Sequence, residues 1–193
     1  RLMERPMQDT EDWALAFRAR DGDTDAFARL VRRYQRPVVH FCARMTGSLE
    51  DAEEVAQEVF LGLHRSLPTL EPRARLSTLL FGIARNLSLN VIRNGKRRGR
   101  DRMVSLDAAP VDYAGGVTPD RHAQASELGG LLEAALLRLP EDQREVLLLR
   151  EFEHMDYGAI AETVGCPVGT VRSRLARARE SLRRELEAWD HGS

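Results

Sequence analysis

The residues best suited to bind a charged partner lie between Asp156 and Glu187. Arg172, Ser173, Ala176, Arg177, Arg183 and Arg184 fall on one side when the segment is turned through about 100° per residue. Val171, Leu175, Ala178, Leu182 and Leu186 fall on the other. Guanidinium forks match guanine edges, Ser and Arg match phosphates, and Ala176 lets a helix come close. A helix lying in a DNA major groove needs that set. A solvated basic face would show the same pattern, but the preceding residues argue for more. Tyr157–Val164 reads as a short helix with Asp156 as N-cap and Gly165 where a residue must take positive φ. Pro167 stops the first helix and suits entry to the second. Two helices joined by a tight Gly-containing turn form a helix-turn-helix. Arg174 and Arg179 flank the apolar stripe and suit phosphates or intramolecular carboxylates.

A second polar face follows the loop Pro68–Arg75, which holds two prolines. The spacing predicts a helix over Ser77–Arg93 with Leu80, Ile83, Ala84, Leu87 and Val91 buried. Arg85, Asn86, Leu89 and Arg93 form its outer face, with Leu79 and Asn90 at the edge. A basic face beside such a loop can hold an unpaired nucleic-acid strand. Spacing alone fits a solvated face equally well. A third face is acidic. Ser48 caps a helix running to Ser66, with Ala52, Val55, Ala56, Val59 and Leu63 inward and Asp51, Glu54, Gln57 and Glu58 outward.

These faces must be positioned by an all-α chain. Residues 1–10 lack periodicity and are expected to be disordered. A first helix is expected over Glu11–Arg20, with Trp13 and Phe17 on one face. A DGDTD turn leads to a second helix carrying Phe27, Leu30, Val31, Tyr34, Val38 and Phe41, kinked at Pro37 and ended by Thr46-Gly47. From Asn94 the basic run GKRRGRDR leads into Pro- and Gly-containing sequence without sustained period. Residues 99–123 are expected to be a flexible linker. Helices over Ser126–Arg138 and from Pro140, the latter with Val146, Leu147 and Leu149, then precede the helix-turn-helix.

Composition sets the outer bounds. The net charge of the 193 residues is −1, so no global basic field marks a nucleic-acid partner. The charge is segregated instead: Glu50, Asp51, Glu53, Glu54 and Glu58 in one stretch, and Arg93, Lys96, Arg97, Arg98, Arg100 and Arg102 in another. Lys96 is the only lysine, a bias attributed mainly to a GC-rich genome. The two cysteines, Cys42 and Cys166, form no disulfide framework or CxxC site, which favours a reducing compartment, the cytoplasm. His40 and Cys42 lack further nearby ligands, so neither metal nor cofactor is expected. No membrane span or signal peptide is recognisable. A P-loop, an HExxH and a Cys-His constellation are all absent, which argues against an enzyme.

Four stretches make the pattern specific: DAFARLVRRYQRPV, DAEEVAQEVFLGLHRSL, LSTLLFGIARNLSLNVIR, and LPEDQREVLLLREFEHMDYGAIAETVGCPVGTVRSRLARARESL. In this order they resemble an extracytoplasmic-function (ECF) sigma factor of the sigma-70 superfamily. The helix-turn-helix alone also resembles LuxR-type regulators. The resemblance implies two helical domains: sigma region 2 at residues 11–98 and sigma region 4 at 124–189, with the linker between.

The resemblance also implies residue roles. Asp51, Glu54, Gln57, Glu58 and Phe60 match the segment that binds the beta-prime clamp of core RNA polymerase. The Pro68–Arg75 loop and the next helix match the reader of the minus-ten element, where a flipped nontemplate base is captured. Arg73, Arg75, Leu79, Arg85, Asn86 and Arg93 are the candidates there. Leu79 stands where the family usually has Trp, and Leu can neither stack on a base nor donate an indole N–H. Arg172, Ser173, Ala176, Arg177 and Arg179 match the minus-thirty-five reader. The linker, with Asp107, Asp112 and Asp120, is expected to cross the active-site cleft toward the RNA exit path.

The implied function is non-enzymatic: directing core polymerase to the promoters of a stress or signal regulon and melting them. The implied partners are core polymerase (beta-prime clamp and beta flap), promoter DNA and an inhibitory anti-sigma factor. The chain would be monomeric when free or 1:1 with its anti-sigma. Leu89 and Ile92 are expected anti-sigma contacts, or packing against the first helix. A dimeric helix-turn-helix regulator is the competing class, and it leaves the DAEEVAQEVF helix and the loop before Ser77 unexplained.

Overall fold

The computed structural model describes residues 4–97 and 119–190. The described residues form eight α-helices and no strand. They are α1 (Glu4–Arg20), α2 (Thr24–Thr46), α3 (Leu49–Ser66), α4 (Leu76–Arg97), α5 (Pro119–Arg138), α6 (Glu141–Glu151), α7 (Tyr157–Val164) and α8 (Val168–Asp190), with a 3-10 turn at Leu67–Thr69.

Local chemistry sets most boundaries. Asp23 accepts from the Ala26 N–H at 3.0 Å and starts α2. Gly47, at φ 75, closes α2 in the left-handed conformation that a Cβ would strain. Ser48 then accepts from the Asp51 N–H and opens α3. Helix α2 runs unbroken through Pro37. In the first unit, α2 is central, packed by α1, α3 and α4 around Leu30, Val38, Phe41, Met45, Leu63 and Phe81. In the second, α6, α7 and α8 enclose Leu148, Leu149, Ile160 and Leu175.

Three expectations need correction. Helix α1 begins at Glu4, not Glu11, so residues 4–10 are ordered as helix. An ion pair from Asp9 to Arg75 at 2.9 Å braces this turn from a distant loop, a contact invisible to local periodicity. Helix α4 starts one residue before the predicted Ser77 and runs four past Arg93, to Arg97. Helix α5 starts at Pro119, so residues 119–123 of the expected linker are helical. The rest of the linker, with Asp107 and Asp112, lies outside the described residues.

The two units are not separate. Helix α4 packs along α7, and α2 meets α5 and α6. The buried residues of both units form one continuous apolar cluster.

Candidate nucleic-acid interface

Helix α8 is aimed by its turn. Asp156 accepts from the Ala159 N–H at 2.9 Å and starts α7, and Gly165, at φ 68, ends it. The chain then turns through Pro167, whose carbonyl accepts from the Thr170 and Val171 N–H groups at the start of α8. Val171, Leu175 and Ala178 are buried against α6 and α7, as their period requires. Arg172, Ser173, Ala176 and Arg177 are therefore exposed. Arg172 lies 5.8 Å from the centre of the Tyr157 ring, which steadies its guanidinium without using its donors on a carboxylate. Arg179 pairs with Glu151 at 2.6 Å, and that contact holds its guanidinium above the usual Arg range. Arg174 pairs with Asp142 at 3.1 Å and reaches Glu145 at 3.5 Å. Of the two destinations expected for Arg174 and Arg179, the intramolecular carboxylates are the ones occupied.

The loop after Leu67–Thr69 is held from α1. The Trp13 indole N–H donates to the Ala74 carbonyl at 3.1 Å, and Arg75 is drawn to Asp9. Sequence reasoning noted the Trp13–Phe17 pair, whose centroids are 5.7 Å apart, but missed the loop anchor. A contact over 61 residues leaves no local signal. Arg73 is exposed and pairs with neighbouring Glu71. Leu79 is half-buried and lines a cavity with Trp13, Leu70, Ile83 and Asn86. Asn86 and Arg93 are exposed on α4. Arg85 is not free: its Nε donates to Glu145 at 2.6 Å. Burial pushes the Glu145 carboxyl up, against the opposing pull of Arg85 and Arg174.

The outer face of α3 is as the spacing predicted, with Glu54, Gln57 and Glu58 exposed and Asp51 half-buried. Phe60, though, is 9% exposed, so little of its ring is presented. The neighbouring Leu61, at 47%, is an exposed apolar residue that sequence reasoning passed over. A groove between α2 and α3 joins Phe60 and Leu61 to Glu53, Gln57, Val31 and Val39. Leu89, expected on the outer face of α4, is 8% exposed and belongs to the core. Ile92 is partly buried against the same core. Of the two destinations expected for Leu89, partner contact or packing within the chain, its burial fits packing, so the core around α4 covers more than one stripe.

Among the described residues no group of His, Cys, Asp and Glu is arranged to hold a metal ion, and no helix is long and apolar enough to cross a membrane. Cys42 is buried, and that burial pushes its thiol up to about 11, which keeps it an unreactive thiol at neutral pH.

An all-α chain with a capped helix-turn-helix, an exposed arginine face and a separate acidic helix has the chemistry of a DNA-binding protein. Two family models match it: Sigma-70 region 2 over residues 30–98 and Sigma-70 region 4 over residues 129–182. The chain is 32% identical over 173 residues to the ECF RNA polymerase sigma factor SigW of Bacillus subtilis, covering 86% of this chain and 91% of that one. It is 35% identical over 181 residues to the ECF RNA polymerase sigma-E factor of Haemophilus influenzae, covering 91% of this chain and 95% of that one. A solved structure of CnrH, in complex with the cytosolic domain of CnrY, superposes with a TM-score of 0.69 at 22% identity, covering 92% of this chain and 98% of that one. The chain belongs to the ECF sigma factors of the sigma-70 superfamily. It is a bacterial transcription initiation factor, not an enzyme.

Proposed function

We propose that the two units divide promoter recognition between them, in the cytoplasm and as part of an RNA polymerase holoenzyme. The acidic face of α3, with Asp51, Glu54, Gln57 and Glu58 around the groove holding Phe60 and Leu61, docks on the beta-prime clamp. An anionic face suits a basic partner and repels DNA, which keeps it from competing for the promoter. The C-terminal unit bears on the beta flap. Helix α8 reads minus-thirty-five duplex through Arg172, Ser173, Ala176 and Arg177. The loop before α4, with Arg73, Arg75 and Leu79, and the α4 side chains Arg85, Asn86 and Arg93 take the separated minus-ten strand. Capturing a flipped base offsets the few kcal/mol spent unstacking it, so reading and melting become one step. With Leu79 in place of an aromatic ring, the loop carries more of that capture.

The observation that supports this division most strongly is the face of α8. Its exposed residues include Arg172, Ser173, Ala176 and Arg177, on the side away from the buried Val171, Leu175 and Ala178. We extend to this chain control by an anti-sigma factor, with which a structural neighbour was solved: RpoE of Bartonella quintana with NepR, at TM-score 0.66 and 23% identity, covering 83% of this chain and 96% of that one.

In vitro transcription with purified core polymerase tests the proposal. Specific initiation on candidate promoters is expected only when this chain is added. If the chain leaves core polymerase unaffected yet binds palindromic duplex tightly as a dimer, the dimeric-regulator reading replaces it.

A further inference from the structure

The cavity beside the Pro68–Arg75 loop has a volume of about 440 Å³, a size that takes small organic ligands. Among the described residues that line it, Trp13 of α1 is the one aromatic side chain. Leu79 and Asn86 of α4 and Arg73 of the loop line it too. So does Gly82 of α4, and nothing stands within 4 Å of where a Cβ on it would lie. Glycine inside a helix is unfavourable beside alanine, and here it leaves the wall open. A ring, an amide, a guanidinium and free space suit a planar ligand that hydrogen-bonds and carries phosphate. A nucleotide swung out of its stack is such a ligand.

The ring is held in place before any ligand arrives. Trp13 is half-buried. Its N–H donates to the Ala74 carbonyl at 3.1 Å, and its ring packs on Phe17 with centroids 5.7 Å apart. Helix α1 is itself pinned next to this residue. Asp12, fully buried, accepts from the Tyr34 hydroxyl and from the Arg33 guanidinium of α2. Asp9, one turn earlier, pairs with Arg75 of the loop at 2.9 Å. Taking one donor away from a buried carboxylate is costly, so α1 keeps its seat on α2. A ring already fixed loses no further freedom when a base stacks on it.

We infer that Trp13 is a specificity-determining residue of the minus-ten site, its indole being the surface on which the captured base of the nontemplate strand stacks. The inference rests on the strand-reading role proposed above. It assigns the stacking that Leu79 cannot provide to a side chain from another helix. The hydrogen bond to Ala74 ties the same ring to the loop, so the wall and the rim of the cavity move together.

The test uses holoenzyme made from core polymerase and the full chain, on a promoter that it transcribes. The nontemplate minus-ten strand is left single-stranded, and each of its positions in turn is made abasic. Affinities are compared for the wild type, Trp13→Leu, Trp13→Phe and Gly82→Leu. Loss of one particular base is expected to weaken the wild type roughly tenfold. Trp13→Leu should lose the same factor on intact DNA and nothing more on DNA lacking that base. Trp13→Phe, which keeps a ring but no N–H, should stay within about threefold of the wild type. Gly82→Leu, which fills the cavity and leaves Trp13 alone, should lose the preference for the same base, and it carries the test if Trp13→Leu does not fold. A base that matters equally to the wild type and to Trp13→Leu or Gly82→Leu overturns the inference and leaves the strand-reading role standing. A loss in Trp13→Phe as large as in Trp13→Leu reduces Trp13 to a loop anchor and overturns it too. If no single base matters to the wild type, base capture itself fails, and the inference with it.

Discussion

The basic faces of α4 and α8 look alike in sequence and differ in the folded chain. Both present arginine opposite an apolar stripe. On α8, Arg177 is exposed with no carboxylate partner among the described residues, and Arg172 lies near the Tyr157 ring. On α4, Arg85 is half-buried and bound to Glu145. A carboxylate on a guanidinium occupies the donors a phosphate would take. The folded chain therefore leaves the arginine face of α8 open and ties Arg85 of the α4 face to a carboxylate of its own. The difference comes from packing: α8 shows its basic face to solvent, while α4 lies along α7.

The largest expected effect breaks a contact that joins the two units: the Arg144 guanidinium donates to the Met45, Leu137 and Leu139 carbonyls. Arg144→Ala leaves several buried carbonyls unpaired, each worth about 1–3 kcal/mol, so a loss of at least ~3 kcal/mol in a urea titration is expected. A loss under ~1 kcal/mol would mean that Arg144 contributes little to holding α2 and α5 together. Next comes α8 itself. Arg172→Ala should cost about 1–3 kcal/mol of discrimination between the preferred promoter and one altered at the contacted guanine. Arg177→Ala should weaken promoter binding by holoenzyme while the melting temperature stays put. Equal binding by wild type and Arg177→Ala in a gel shift would remove α8 as the presented reader.

The smallest effect is a pH dependence of stability. Glu153, beside Arg44, has its carboxyl pushed up to about 7 by burial. Asp9, Arg33, Tyr34, Arg75 and His154 line the cavity it faces. Its folded value lies above its unfolded one. Its contribution is therefore fully present below the ordinary Glu range and is lost as pH rises through about 7. Stability in a urea titration should fall between pH 6 and pH 8, and Glu153→Gln should flatten the response. These pH values bracket the range, about 6–8, over which such a group titrates. A response that Glu153→Gln leaves intact would assign the dependence to another group.

Much of this was legible in the residues. Asp23, Ser48 and Asp156 cap their helices as side chains of that type do, and Gly47 and Gly165 close them. The stripe of α3 buries as its period demands, as do Val171, Leu175 and Ala178 of α8, while Leu182 and Leu186 are half-buried. The four segments from Asp25 to Leu182 carried the family. Errors fell where a distant contact overrides local pattern. Helix α1 extends back to Glu4, with the Asp9–Arg75 pair bracing its middle, and Leu89 is buried although its position in α4 reads as outward.

By itself the sequence determined which helices form, which faces are apolar, and which side chains can read DNA, because caps and periodicity act over a few residues. Only the tertiary structure decided which of those side chains are available. Arg85 and Glu145 are 60 residues apart and Arg44 and Glu133 are 89 apart, and pairing at that range depends on how whole helices pack.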